Sequence, residues 1–100
     1  MNAGSLLTPE QLKQKKALAK KGDQEAIGDL YGYYSFGRYD QKQSDYWLKR
    51  DAFTGEPSAE YNYGKTLYEG GKKEEGLQWI KKSAEDGFYA APAFLAEHKQ

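Results

Sequence analysis

Apolar residues recur along this 100-residue chain at helical spacing rather than in strict alternation with polar residues. Ala26, Leu30 and Tyr34 stand four positions apart, as do Ile80 and Ala84, which places each set on one face of an amphipathic helix. Strand signals are scarce, because the chain has no valine and no sustained apolar–polar alternation. The pattern therefore predicts an all-α fold.

Glycine, proline and capping residues divide the chain into six predicted helices joined by short loops. Thr8 and Gln11 have the spacing of a capping box, with Pro9 at the first helical position. At the other end of that helix, Gly22 follows two lysines, which suits a helix C-terminus. The predicted helices span residues 8–21, 23–36, 41–53, 57–70, 73–86 and 88–99.

A period of 32–33 residues groups these helices into pairs. Gly22, Gly55 and Gly87 fall 33 and 32 residues apart, and Trp47 and Trp79 recur at 32. Such a period is typical of stacked repeat proteins, in which each unit covers its neighbour's apolar face. The predicted plan is a disordered N-terminus (1–7) and a single repeat domain (8–100), made of a helix (8–21), two repeats (23–54 and 56–86) and a terminal half-repeat (88–99).

The second repeat reads Ala59-Glu60-Tyr61-Asn62-Tyr63-Gly64, then Leu67-Tyr68-Glu69-Gly70, then Gly76-Leu77-Gln78-Trp79-Ile80-Lys81-Lys82-Ser83-Ala84-Glu85-Asp86-Gly87. This run resembles the Sel-one-like repeat, a relative of the tetratricopeptide repeat. The first repeat resembles it less closely, through Ala26, Leu30, Tyr34, Gly37, Trp47, Arg50, Ala52 and Gly55. The resemblance implies a right-handed α-α superhelix, or solenoid, of about two and a half repeats.

Several positions depart from the family pattern. Tyr31 stands where the family prefers glycine, and Ser44 and Gly76 stand where it prefers alanine. A glycine inside a helix costs about 1 kcal/mol relative to alanine, so Gly76 calls for a structural reason. Close approach of the two helices of the second repeat would supply it.

Composition narrows the classes of function. Fifteen basic and fifteen acidic residues cancel, whereas proteins that bind duplex nucleic acid normally carry a basic excess. The absence of cysteine excludes disulfides and thiolate metal sites. No apolar run approaches the roughly 20 residues of a membrane span. As written the chain is expected to be cytoplasmic, or periplasmic if a signal peptide has been removed.

Catalytic chemistry finds little support in the sequence. His98 is the single histidine and stands two residues from the end, where chains fray, so a histidine-based nucleophilic triad is not expected. Adjacent carboxylates such as Glu85 and Asp86 do not face each other on a helix. No catalytic, cofactor-binding or metal-binding residue is therefore predicted, and the chain is not expected to be an enzyme.

Binding residues are predicted on the first helices of the repeats. Tyr61, Lys65, Tyr68 and Glu69 form one helical stripe, and by resemblance to tetratricopeptide arrays this stripe lines a concave groove. An alternative is that the tyrosines merely cover the shallow core of a small solenoid. The first repeat adds three further candidates to the groove, which are Glu25, Phe36 and Arg38.

The expected function is a non-catalytic module that binds a partner protein or peptide through the concave face. Small bacterial members of the family imply two roles, as adaptors or as immunity-type inhibitors of a cognate toxin or enzyme. A third possibility is a self-associating subunit, because the last helix carries Ala90, Ala91, Ala93, Phe94 and Leu95. These residues leave an apolar surface that a second copy can cover, giving a homodimer.

Overall fold

The computed structural model describes residues 7–98, and these are helical, with no strand among them. The predicted all-α class is confirmed. Residues 1–6, which make up most of the predicted disordered N-terminus, and residues 99 and 100 lie outside the described residues. The elements are α1 (Pro9–Lys20), α2 (Gln24–Gly32), a π-helical turn (Tyr33–Gly37), α3 (Gln41–Phe53), α4 (Pro57–Glu69), α5 (Lys73–Glu85) and α6 (Ala91–Glu97).

The helices start where the capping residues place them. The Thr8 hydroxyl accepts a hydrogen bond from the Gln11 backbone N–H (3.1 Å), and the Gln11 side chain accepts one from the Thr8 N–H (3.0 Å), as in the predicted capping box. Asp23 caps α2 and Asp40 caps α3 by the same kind of bond. Short polar side chains therefore satisfy the free N–H groups at these three helix starts.

The periodic glycines end helices in the left-handed conformation. Gly22, Gly55 and Gly87 have φ of 93°, 93° and 95°, and Gly71 adopts the same conformation at 96°. The Gly22 N–H bonds to the Ala19 carbonyl (2.9 Å) and the Asp23 N–H to the Leu18 carbonyl (3.1 Å), which is a Schellman motif. Gly71 and Gly87 repeat the pattern, so the same hydrogen-bonded turn ends a helix at Gly22, Gly71 and Gly87.

One helix ends, and another begins, at a position that differs from the prediction. The second helix was expected to stay α-helical to Phe36, but its last turn widens into the π-helical turn, where the Arg38 N–H bonds to the Tyr33 carbonyl (2.8 Å). Both Tyr33 and Tyr34 are buried there, with their rings edge to face at 4.9 Å. The last helix begins at Ala91 rather than residue 88.

The chain forms two compact units, an N-terminal unit that ends at Thr54 and a C-terminal unit that begins at Gly55. In the N-terminal unit, α1 and α3 both pack against α2. Leu7, Leu12 and Tyr31 are half-buried against its core. That core consists of Ala19, Ala26, Ile27, Leu30, Tyr33, Tyr34 and Trp47.

In the C-terminal unit, α4 and α5 approach each other backbone to backbone. A Cβ on Gly76 would lie 2.5 Å from the Gly64 carbonyl oxygen and 2.7 Å from the Tyr68 nitrogen. A Cβ on Gly64 would lie 2.7 Å from Ile80 Cγ1. All three distances are far below van der Waals contact, so only glycine fits at either position. The close approach predicted from Gly76 is confirmed.

Candidate protein-binding surface

The three predicted binding residues of the N-terminal unit are all exposed. Glu25 lies in the first turn of α2, Phe36 in the π-helical turn and Arg38 directly after it. Among the described residues of this unit, Phe36 is the most exposed large hydrophobic residue, at 71%. The structure therefore places these three side chains on the surface, as a binding role requires.

The tyrosines of the predicted stripe on α4 already contact other aromatic residues of the C-terminal unit. The Tyr61 ring lies 5.0 Å from the Phe88 ring and 6.0 Å from the Phe94 ring, and the Tyr68 ring lies 5.5 Å from Phe94. His98 stacks on Phe94 at 3.9 Å and meets the Tyr68 ring edge to face at 5.2 Å. These five rings form one cluster between α4 and the last part of the chain.

The remaining members of the stripe lie beside this cluster. Lys65 Nζ lies 5.6 Å from the centre of the Tyr61 ring, within range of a cation–π interaction. Glu69 is exposed at the end of α4. Tyr61 and Tyr68 are only half-buried but already have intramolecular partners, which is the arrangement that the shallow-core alternative describes.

A second surface, which the sequence did not single out, lies on the solvent side of α3. Lys42, Tyr46, Lys49 and Phe53 follow one another at three- or four-residue steps, so they share one helix face. Tyr46 is 51% exposed and Phe53 66% exposed. With Arg50 at its edge, this set is called the α3 outer face. The opposite face of α3 is buried through Ser44, Trp47, Leu48, Asp51 and Ala52.

Arg50 fixes the geometry of the α3 outer face. Its Nη2 donates to the Ala19 carbonyl (3.0 Å) and its Nη1 to the Tyr46 hydroxyl (3.2 Å). The guanidinium also lies 5.6 Å from the Trp47 ring and 5.9 Å from the Tyr46 ring. Because Ala19 lies in the last turn of α1, where the helix dipole favours a cation, Arg50 ties α3 to α1 and holds Tyr46 in place.

The charge of this surface is mainly positive. Within the described residues, Lys42 and Lys49 take part in no ion pair. The one carboxylate at the edge of the face, Asp45, accepts a hydrogen bond from the Gln41 side chain (2.8 Å). The sequence over 1–54 carries nine lysines and arginines against seven aspartates and glutamates, and the sequence over 55–100 carries six against eight.

The signal that marks the α3 outer face was present in the sequence. Tyr46 and Phe53 fall at the polar phase of a helix whose apolar phase holds Trp47, Leu48 and Ala52. Aromatic residues on the polar side of an amphipathic helix are candidates for recognition. The 32-residue period marks Trp47 and Trp79 but not these exposed aromatic residues.

The C-terminal unit contains a buried carboxyl group that sequence reasoning also missed. Glu60 on α4 is 0% exposed, and Lys82 Nζ lies 3.1 Å from its Oε2. Neither Glu60 oxygen accepts a hydrogen bond of normal geometry, and Lys82 also pairs with Asp86 at 3.2 Å. Burial raises the pKa of Glu60, while the Glu60 carboxyl and the Lys82 ammonium lower the pKa of Asp86. The Glu60 carboxyl is therefore closed off from solvent.

Residues 7–98 lack two other kinds of feature. No group of three or more histidine, aspartate or glutamate side chains is arranged to hold a metal ion. None of the helices there is both long enough and apolar enough to cross a membrane.

Comparison with known proteins adds one relative. The chain is 30% identical over 101 residues to the uncharacterized protein YibG of Escherichia coli strain K12. The alignment covers 94% of this chain, which spans 66% of the length of that relative. No family model matches the chain. No solved structure matches it either.

Proposed function

We propose that the chain is a non-catalytic protein-interaction module built as an array of Sel-one-like repeats. Two observations support the repeat architecture. Gly22, Gly55 and Gly87 end helices with the same backbone conformation at steps of 33 and 32 residues. The α4–α5 pair also packs through Gly64 and Gly76, and the resemblance implies small residues at both positions.

The α3 outer face is the observation that carries the binding role. Tyrosine and arginine are enriched among the residues that contribute most to protein–protein affinity. Here Tyr46 is half exposed but held by Arg50 and packed edge to face on Trp47 at 4.8 Å. A side chain fixed before binding loses little conformational entropy on contact with a partner.

The test is affinity capture from the native host with three forms of the chain. We expect wild type to retain a protein that Tyr46→Ala loses, because the substitution removes the fixed ring. Tyr89→Ala is the matched control, since Tyr89 is 87% exposed and lies in the C-terminal unit. Titration of the purified partner should then show an affinity at least about tenfold weaker for Tyr46→Ala, which corresponds to a loss of about 1.4 kcal/mol. The α3 binding role is rejected if all three forms retain the same proteins with equal affinity.

Self-association is a second candidate, favoured by a hollow between α5 and α6. Its lining is mainly apolar and includes Leu77, Ala84, Leu95 and Ala96. Sedimentation over a range of concentrations tests this role. A dimer that uses the hollow should be lost in Ala96→Arg and kept in Ala93→Arg, because Ala93 is exposed on the same helix but is not part of the lining. A wild-type chain that stays monomeric at every concentration contradicts it.

A further inference from the structure

We infer that the α3 outer face binds an acidic segment of the partner protein, one that carries apolar side chains between its carboxylates. The inference rests on the proposed function and adds the chemistry of the partner. Cationic and aromatic side chains alternate along this face of α3, in the order Lys42, Tyr46, Lys49 and Phe53.

The spacing of these residues defines the length of segment that fits. Eleven positions separate Lys42 from Phe53, so the face runs for about 16 Å along the helix axis. A complementary segment of about three helical turns, or about five extended residues, spans that distance. It has to place apolar groups against the rings of Tyr46 and Phe53 and carboxylates beside the lysines.

Charge selects an acidic segment over a neutral or basic one. Lys42 and Lys49 have no carboxylate partner within the described residues, and Arg50 adds a third cation at the edge. Charge repulsion from the three cations opposes the association of a basic segment, whereas an acidic segment is attracted and oriented by them. Asp45 is the only exposed acidic side chain within α3, so the three cations outnumber it.

A single-stranded nucleic acid is the principal competing occupant, since it also combines negative charge with groups that stack on rings. Two observations favour the peptide. The basic excess over 1–54 is only two charges, which is small for backbone neutralisation by counterion release. The Tyr46 ring already packs edge to face on Trp47 at 4.8 Å and lies under the Arg50 guanidinium, so part of its surface is not open to a stacking base.

The experiment uses fluorescent synthetic peptides and the whole chain. The first peptide is helical, with leucine and phenylalanine on one face and glutamate at the other positions. A second peptide has glutamine in place of every glutamate, and a third has lysine. A labelled oligouridine serves as the nucleic-acid probe. Binding is measured by anisotropy at about 20 mM and about 300 mM NaCl, because screening separates charge attraction from apolar contact.

We expect wild type to bind the glutamate peptide at least about tenfold more tightly than the glutamine peptide at low salt, with this advantage shrinking at high salt. The double variant Lys42→Glu/Lys49→Glu should abolish the preference for glutamate, and Tyr46→Ala should weaken binding of both peptides. The matched controls are Lys13→Glu, exposed on α1, and Tyr89→Ala, and both should bind as wild type does.

Each other outcome overturns the inference. If the glutamine or lysine peptide binds as tightly as the glutamate peptide, and Tyr46→Ala weakens it, the face binds proteins without a preference for acidic segments, and the proposed function survives. Tighter binding of oligouridine identifies a nucleic-acid surface instead. If no peptide binds at millimolar concentration, the acidic partner is rejected, while the capture experiment decides the proposed function separately.

Discussion

Single glycine residues determine how closely the helices of the C-terminal unit pack. We predict that Gly76→Ala lowers the free energy of unfolding by about 1–3 kcal/mol, even though alanine is the better helix former. The physical reason is that its Cβ would lie 2.5 Å from a carbonyl oxygen of α4. Urea unfolding followed by circular dichroism measures the change.

Gly28→Ala is the matched control for this substitution. Gly28 also lies inside a helix, but the nearest atom to an added Cβ, Asp51 Oδ2, is 3.8 Å away. Alanine there should stabilise the chain by up to about 1 kcal/mol. If both variants shift the unfolding midpoint in the same direction, close packing of α4 and α5 is not the reason for Gly76.

Glycines at helix ends act through backbone conformation alone. Gly22 and Gly87 have φ of 93° and 95°, and nothing lies within 4 Å of an added Cβ at either position. We therefore predict that Gly22→Ala and Gly87→Ala each lower the free energy of unfolding by a similar amount, about 1–2 kcal/mol. Asn in place of Ala should cost less, because Asn tolerates the left-handed region. Equal stability of the Ala variants and wild type contradicts this prediction.

At the scale of elements, the buried Glu60 carboxyl of α4, which lies against Lys82 of α5, should make stability depend on pH. Burial raises the pKa of Glu60 above its ordinary value of 4.5. The contribution of the Glu60 carboxyl to the free energy of unfolding is therefore complete below pH 4.5, and it declines as pH rises through the higher pKa of the folded state. Asp86 works in the opposite direction. The lowering of its pKa from 3.8 gives stability that is present above pH 3.8 and is lost as pH falls through the lower folded pKa.

The corresponding prediction concerns Glu60→Gln. This variant removes the ionisable group, so its stability relative to wild type should increase from pH 4 to pH 7. Urea unfolding at several pH values in that interval measures the difference. Glu69→Gln, an exposed position on the same helix, is the control and should keep the wild-type pH profile. A difference between Glu60→Gln and wild type that is constant over the interval shows that the buried carboxyl does not titrate there.

At the scale of the whole molecule, the sequence predicted local features far better than contacts between elements. The bounds of α3 were predicted at 41–53 and observed at Gln41–Phe53, because Asp40 and the break around Gly55 are local signals. The π-helical turn has no such signal. The covering of Tyr61 and Tyr68 by Phe94 depends on where α6 packs, and the burial of Glu60 depends on the approach of α5, so neither was predictable from spacing.

The division into two compact units leads to a last prediction about cooperativity. Each unit contains one tryptophan, Trp47 in the N-terminal unit and Trp79 in the C-terminal unit. Gly76→Leu should unfold the C-terminal unit, because leucine cannot enter the α4–α5 contact. The core cluster of the N-terminal unit is formed by residues between 19 and 47, so that unit should stay folded.

Nitrogen–proton NMR spectra give the readout, since each indole N–H contributes one resolved signal. In Gly76→Leu the Trp79 signal should move to the position of an unfolded chain, whereas the Trp47 signal should keep its native position. Gly28→Ala should leave both signals native. If the Trp47 signal also becomes that of an unfolded chain, the two units fold as one cooperative block. In that case the α3 outer face would depend on the packing of Gly76, and a substitution that unfolds either unit would abolish binding.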